Sequence, residues 1–175
     1  IGSTWGITNP SDLSWLISGY TLALGAFILF AGRLGDAYGY KLMFLTGFVW
    51  SALWSILAGV AVYSNVVFFT TCRVFHGLGA ALCLPNAIAL LGATYPPGRR
   101  KSLVFASFAA MAPSGSIIGA AGGSAMAQVW WPIPYWVFGF VLCGIAAMGF
   151  FAIPSVGHRQ PTPKTFHDCI MDLDI

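Results

Sequence analysis

Two ionisable residues, Arg73 and His76, lie inside an apolar stretch and are the strongest candidates for chemistry in this sequence. The stretch runs from about residue 66 to residue 91, and Arg73 is its only charged side chain. An arginine about 12 Å deep in hydrocarbon costs several kcal/mol unless it faces a polar cavity or a partner. His76 follows at i+3 on the same helix face and is a candidate titrating neighbour of Arg73. The pair predicts a transport path or a proton-coupling charge, although Arg73 could instead extend to the membrane surface and His76 could pack against a neighbouring helix.

The same stretch contains a proline followed by an asparagine. Pro85 removes one backbone hydrogen bond from a helix and leaves a carbonyl group that Asn86 or a substrate could engage. We therefore include Asn86 among the candidate residues of a transport path. No predicted span carries a carboxylate, so we expect the acidic partner of Arg73 to lie outside this chain.

A polar, glycine-rich segment at residues 32–41 separates two uncharged apolar runs. Its sequence is Gly-Arg-Leu-Gly-Asp-Ala-Tyr-Gly-Tyr-Lys. We predict a loop of about ten residues that joins two antiparallel helices on one membrane face. Gly35 and Gly39 allow close backbone approach or a positive φ. Asp36 lies between the cations Arg33 and Lys41, at the ends of the two helices.

A second glycine-rich segment lies in the fourth apolar run. Gly115, Gly119 and Gly123 form two overlapping GxxxG pairs, with Gly122 beside them. Such pairs let helix backbones approach closely. The spacing predicts helix packing at this face, and Pro113 upstream predicts a bend.

The elements that must position these residues are five apolar runs, which we place at about residues 14–31, 42–62, 66–91, 103–127 and 135–153. Hydrophobic residues make up 58% of the 175 residues and charged residues only 7%. Each run is long enough to cross about 30 Å of hydrocarbon as a helix. The composition therefore predicts an all-α membrane protein with about five transmembrane helices.

The distribution of basic residues predicts the orientation of these helices. Seven of the eight basic residues fall in segments that share one membrane face, and the eighth is Arg73. The seven are Arg33, Lys41, Arg99, Arg100, Lys101, Arg159 and Lys164. Cytosolic loops carry such an excess of Lys and Arg, so we assign this face to the cytosol. An aromatic belt is expected at the opposite face, formed by Trp15, Trp130, Trp131, Tyr135 and Trp136.

The remaining sequence limits the classes of function. We find no phosphate-binding loop, no nucleophilic triad, no His/Cys metal cluster and no basic patch for nucleic acid. We therefore expect no enzyme activity, no cofactor, no metal and no nucleic-acid partner. Residues 154–175 are polar and are interpreted as the start of a cytosolic linker or as a surface helix, with a capping box at Thr165 and Asp168. Both ends look cut, so we expect this to be a piece of a longer protein.

Three groups of residues together resemble the major facilitator superfamily. The family's signature loop between its second and third helices is matched by Gly32, Leu34, Asp36, Gly39 and Lys41, with departures at Ala37 and Tyr40. Its fourth-helix motif for proton transfer is matched by Arg73, Gly77, Gly79 and Ala81, with His76 in place of Gln. Its fifth-helix antiporter motif is matched by Gly115, Gly119, Gly122 and Gly123, with Ala120 in place of Pro.

The resemblance extends from the end of the family's first helix through its sixth. Residues 14–20, 93–101 and 130–132 are similar to fungal drug:proton antiporters of the aminotriazole- and boron-resistance exporter group. The fold it implies is a partial N-terminal six-helix bundle at residues 1–153. The activity it implies is proton-coupled export of small toxic compounds by alternating access.

The resemblance also implies roles, partners and a location. Asp36 and the nearby basic residues would latch the cytosolic side, Arg73 would respond to a proton on an acidic partner, and the fifth helix would prevent leak. The partners would be a small molecule, a proton, the lipid bilayer and the remainder of the same transporter. An exporter favours the plasma membrane, but a vacuolar membrane fits the same residues. Two alternatives remain, a facilitator or importer of the same fold and a truncated fragment without transport activity.

Overall fold

The computed structural model describes Trp5, Gly6 and residues 10–153, except for the side chains of residues 10–13, 16 and 17. All regular secondary structure in this part of the chain is helical. It comprises α1 (Pro10–Tyr38), α2 (Tyr40–Val60), a 3-10 turn (Ala61–Tyr63), α3 (Val66–Thr94), α4 (Arg99–Val129) and α5 (Ile133–Ala152). Five helices are long and apolar enough to cross a membrane, as the composition predicts. The all-α membrane class is therefore confirmed, whereas the predictions for residues 154–175 lie outside the described residues.

The prediction of a ten-residue loop at residues 32–41 is wrong. Helix α1 continues through Gly32 and Asp36 to Tyr38, and α2 begins at Tyr40. Only Gly39 interrupts the helices, with φ of +99°, which confirms the expected positive φ at that position. Polar side chains on an exposed helix face do not end a helix, so the charges here were misread as a loop signal. The turn itself is made by the conformation that glycine adopts most readily.

Helix α3 is the central helix, and it packs closely against α1 and α2. A Cβ atom at Gly77 would lie 2.5 Å from the backbone oxygen of Tyr20 on α1. On another side of α3, a Cβ at Gly79 would lie 2.9 Å from the backbone oxygen of Gly47 on α2. Glycines at these positions let three helix backbones approach each other, as small residues do in membranes. Two glycines of the fourth-helix motif therefore pack against different helices: Gly77 against α1 and Gly79 against α2.

Helix α5 packs on α2, whereas α4 lies apart. The Ser55 hydroxyl on α2 donates a hydrogen bond of 2.8 Å to the Tyr135 carbonyl group at the start of α5. A Cβ at Gly139 would come within 3.2 Å of the Ala52 carbonyl oxygen. Helix α4, in contrast, has no buried residue. The helices thus pack in the order α1, α3, α2, α5, and α4 faces the others across an open space.

An aromatic cluster closes the end of the bundle opposite Lys41. Phe69 is 1% exposed and lies at its centre. Its ring centroid is 5.8 Å from that of Trp131 and 5.5 Å from that of Tyr135, and Trp5 contacts Trp131 at 5.2 Å. Trp131 and Tyr135 therefore pack against other helices, while Trp15 is 62% exposed, as a residue of an aromatic belt would be.

Candidate transport cavity

A cavity of about 770 Å³ lies between α3, α4 and α5. Arg73 and His76 both lie on its wall, so the structure brings together the two ionisable residues singled out in the sequence. The rest of the wall is mostly apolar or glycine. It includes Gly119, Gly122 and Gly123 from α4, Trp131 from the turn before α5, and Tyr135 and Phe138 from the first turns of α5.

Arg73 is half-buried and is held by aromatic rings. Its guanidinium carbon lies 5.1 Å from the ring centroid of Tyr20 on α1 and 5.8 Å from that of Tyr135 on α5. Cation–π contacts of this kind are stronger where water is excluded. The two rings hold the guanidinium group in place, but neither ring carries a negative charge to pair with it. The arginine therefore remains a cation on the wall of an apolar cavity.

His76 is the second polar group of the wall and is 6% exposed. Its ring lies between those of Tyr20 and Phe138, at centroid distances of 5.4 and 5.8 Å. Its Nδ1 atom has no hydrogen-bond partner among the described residues. A buried polar atom without a partner costs free energy, and this nitrogen is enclosed by the side chains around it.

The four glycines of α4 form an open face. A Cβ atom at Gly115, Gly119, Gly122 or Gly123 would meet nothing within 4 Å. Within the described part of the chain no other helix packs on this face, and three of the four glycines line the cavity instead. Their predicted role in helix packing stays a prediction about the larger protein.

The residues of the 32–41 segment act on different parts of the bundle. Asp36 is exposed and accepts a hydrogen bond of 2.8 Å from the Tyr40 hydroxyl group. Lys41 donates to the carbonyl groups of Phe150, at 3.2 Å, and of Ile153, at the C-terminal end of α5. Lys41 therefore binds α5 while Asp36 binds Tyr40, and the latch predicted for these residues stays a prediction. The hydrogen bond between Asp36 and Tyr40 joins residues four positions apart. This spacing was the one signal of that contact in the sequence.

Asn86 does not line this cavity. It is 1% exposed and lies between α1 and α3. Its Nδ2 atom donates to the Leu82 carbonyl group at 2.7 Å and to the Ala31 carbonyl group at 3.3 Å. The structure therefore separates Asn86 from Arg73 and His76, with which the sequence had grouped it.

Sequence reasoning missed Phe138, which lines the cavity, and Tyr20, which contacts two residues of the cavity wall. Tyr20 contacts both Arg73 and His76, yet it lies 53 positions before Arg73. An aromatic residue in an apolar run carries no signal of its own, because packing alone accounts for most such residues. No group of three or more potential metal ligands occurs among the described residues.

Residues 2–168 match the family described as Major Facilitator Superfamily. The chain belongs to this superfamily. The match covers nearly the whole chain, and all five described helices lie within the matched residues. The resemblance drawn from the three glycine-rich motifs is thereby confirmed.

Several named relatives are fungal transporters. The low affinity ammonium transporter of Saccharomyces cerevisiae is 54% identical over 88% of this chain and 30% of its own length. The efflux pump terJ of Aspergillus terreus is 44% identical over 100% of this chain and 34% of its own length. The aminotriazole resistance protein of S. cerevisiae is 35% identical over 94% of this chain and 30% of its own length. The chain spans about a third of the length of these relatives.

Proposed function

We propose that this chain is part of a proton-coupled exporter of small toxic compounds that works by alternating access. The cavity wall that carries Arg73 and His76 is the observation on which the proposal rests. A cation and an imidazole on the wall of an apolar cavity are suited to respond to the arrival or loss of a proton. Efflux-pump relatives that are 44% identical favour export as the direction of transport.

The coupling partner of Arg73 is a carboxylate on the remainder of the transporter. An ionised carboxylate beside Arg73 gains attraction that grows as the local dielectric constant falls. Protonation of the carboxylate removes this attraction and leaves the guanidinium group to the rings of Tyr20 and Tyr135. The free-energy difference between the inward-open and outward-open states then changes with each proton that binds or leaves. In this mechanism Asp36 stabilises one of the two states at the cytosolic side.

An export assay on the full-length transporter in membrane vesicles tests the proposal. Arg73→Ala is expected to abolish proton-driven export of radiolabelled aminotriazole while the protein still inserts in the membrane. Arg100→Ala is the matched control, because Arg100 is an exposed cation at the start of α4 and its loss leaves the cavity unchanged. Unchanged export by the Arg73→Ala protein would contradict the assignment.

Facilitated transport or uptake of a small nitrogen compound is the second candidate function. The relative named as a low affinity ammonium transporter, which is 54% identical, favours it. The two functions differ in their response to the proton gradient. Collapse of the gradient with a protonophore stops coupled export, whereas facilitated entry of radiolabelled methylammonium continues down its own concentration gradient. The third reading, a fragment without transport activity, predicts that neither probe moves.

The membrane location follows from the direction of transport. Export of toxic compounds from a cell requires the plasma membrane, which we propose as the site of this multi-pass protein. Sequestration in a vacuole would use the same residues in a different membrane. Fluorescence microscopy of a tagged full-length protein, with a plasma-membrane marker and a vacuolar marker, separates the two locations.

A further inference from the structure

The contact between Asn86 and the end of α1 has no role in the transport mechanism described above. Asn86 is nearly fully buried, and its Nδ2 atom reaches across to the Ala31 carbonyl group of α1. Ala31 is itself 2% exposed. A side-chain amide that crosses from one membrane helix to another gives a directional contact, which apolar packing alone does not provide.

The other side of the same amide lies against Gly35. The Asn86 Oδ1 atom is buried and has no hydrogen-bond partner in the described part of the chain. A Cβ atom built on Gly35 would overlap with Oδ1 and would come within 2.8 Å of the Asn86 Cγ atom. Position 35 therefore has no room for a side chain as long as the Asn86 amide group lies against it. One turn earlier on α1, a Cβ atom built on Gly32 would lie in ordinary contact with the Pro85 Cβ atom, at 3.7 Å.

These contacts fix the register of two helices that carry the candidate site residues. Arg73 lies thirteen residues before Asn86 on α3, a separation of about 20 Å along a helix. Asp36 directly follows Gly35 on α1. A slide or rotation of α1 on α3 would break the bond to Ala31 or drive Gly35 into the amide group.

We propose that Asn86 is a positioning residue, which holds the end of α1 that carries Asp36 in fixed register on the helix that carries Arg73. Through this contact α1 and α3 move as one rigid body. A displacement of α3 at the cavity therefore displaces Asp36 by the same amount. Asn86 acts through α1 and does not touch the cargo. The register itself does not depend on the proposed function; only its consequence for export does.

Disulfide formation between residues 32 and 85 measures this register without any transport assay. The built Cβ atom of Gly32 and the Pro85 Cβ atom are 3.7 Å apart, which lies within the range for disulfides. The parent protein is the full-length transporter with Gly32→Cys and Pro85→Cys, its natural cysteines replaced by alanine. Membranes are oxidised with copper phenanthroline, and the rate of bond formation is followed by a thiol-labelling gel.

Three further substitutions in this parent test the proposal. Gly35→Ala is expected to slow disulfide formation about tenfold, because its Cβ pushes α1 away from the amide group. Asn86→Ala added to Gly35→Ala is expected to restore the rate to within about threefold of the parent, because the obstructing amide is gone. Gly25→Ala is the matched control on α1, where a Cβ atom meets nothing within 4 Å, and it leaves the rate unchanged. A Gly35→Ala protein that forms the bond as fast as the parent, or one that Asn86→Ala does not rescue, overturns the proposal.

A transport arm separates positioning from a general loss of folded protein. With natural residues at 32 and 85, Asn86→Ala is expected to lower the maximal rate of aminotriazole export per folded transporter at an unchanged KM. A raised KM would place Asn86 in the binding path and overturn the positioning role. If the unsubstituted transporter exports no aminotriazole, the proposed function fails for this compound, and the disulfide rates still decide the register.

Discussion

At the scale of single residues, Arg73 owes its place to two aromatic rings. The guanidinium carbon of Arg73 lies over the rings of both Tyr20 and Tyr135. A lysine would keep the charge but lose the flat surface that stacks on aromatic rings. The chemistry proposed for the cavity therefore depends on arginine in particular.

Loss of the Tyr20 ring is expected to destabilise the full-length transporter by about 1 kcal/mol, the typical value of a cation–π contact in a partly dry site. Tyr20→Phe keeps the ring and is expected to leave stability unchanged, whereas Tyr20→Ala lowers it. The measurement is the thermal unfolding midpoint in detergent. Equal midpoints for the Phe and Ala proteins would show that the ring does not stabilise Arg73.

Gly77 provides a second residue-scale prediction. A Cβ atom at this position would lie 2.5 Å from the Tyr20 backbone oxygen, so Gly77→Ala must push α1 and α3 apart. Overpacking of this kind costs about 1–3 kcal/mol. Gly92→Ala on the same helix is the matched control, because nothing lies within 4 Å there. The control is expected to be neutral or to gain up to about 1 kcal/mol from helix propensity.

At the scale of helices, two lysines stabilise helix C-termini at the same end of the bundle. Lys41 donates to carbonyl groups at the end of α5, and Lys101 donates to the Gly92 carbonyl group near the end of α3 at 3.0 Å. The last carbonyl groups of a helix have no partner within the helix, and a cation there also interacts favourably with the helix dipole. Basic residues that orient the protein in the membrane thus also tie its helices together.

Lys41→Met is expected to loosen the last turn of α5 by about 0.5–1 kcal/mol, because it removes both the hydrogen bonds and the charge. Faster amide hydrogen exchange at residues 149–153 measures this effect in the full-length protein. Lys101→Met is the matched control and should speed exchange near residue 92 only. Faster exchange in α5 in the Lys101→Met protein would mean that the effect is not local.

The open face of α4 leads to a prediction about the whole transporter. Gly115 is the α4 glycine that does not line the cavity, and a Cβ atom at this position meets nothing within 4 Å. If the rest of the transporter packs on this face, Gly115→Leu lowers export about tenfold or more, because a bulky side chain keeps the backbones apart. Gly144→Leu on α5 is the control at an equally open position. Equal export by both variants would remove the packing role of the α4 glycines.

At the scale of the whole molecule, the open side of the cavity and the bare face of α4 belong together. A helix of 31 residues with no buried side chain gains little from the bundle described here. The place of a membrane helix within a bundle is set by packing against its neighbours. Relatives about three times as long have further chain that can supply such neighbours.

An immunoblot of native membranes, with an antibody against residues 154–175, is expected to show a band about three times the 18.6 kDa mass of this chain. Such a band fits a complete transporter and makes the export assays meaningful. A single band near 18.6 kDa would mean that only this part is made. The transport proposal would then fail, while superfamily membership would remain.

Much of the fold could be predicted from the sequence, because hydrophobicity acts locally. The number of helices, their membrane character and the candidates Arg73 and His76 all follow from runs of apolar residues and from a single charge within one of them. Gly39 was predictable too, since a positive φ is a property of one residue. The helical state of residues 32–38 could not be predicted in this way. Their polar side chains and glycines are typical of a loop, and the helix is stabilised by contacts with α3.

The ionisable candidates Arg73 and His76 can be identified from the sequence alone. Which side chains contact them depends on how the helices pack. Arg73 and His76 share a wall because they lie one turn apart on a single helix. Tyr20 joins them, and Asn86 is turned away towards Gly35, only because α1 packs against α3 at one particular register. That register depends on glycine contacts and carbonyl partners distant in sequence, and such long-range contacts leave no periodic signal in the chain itself.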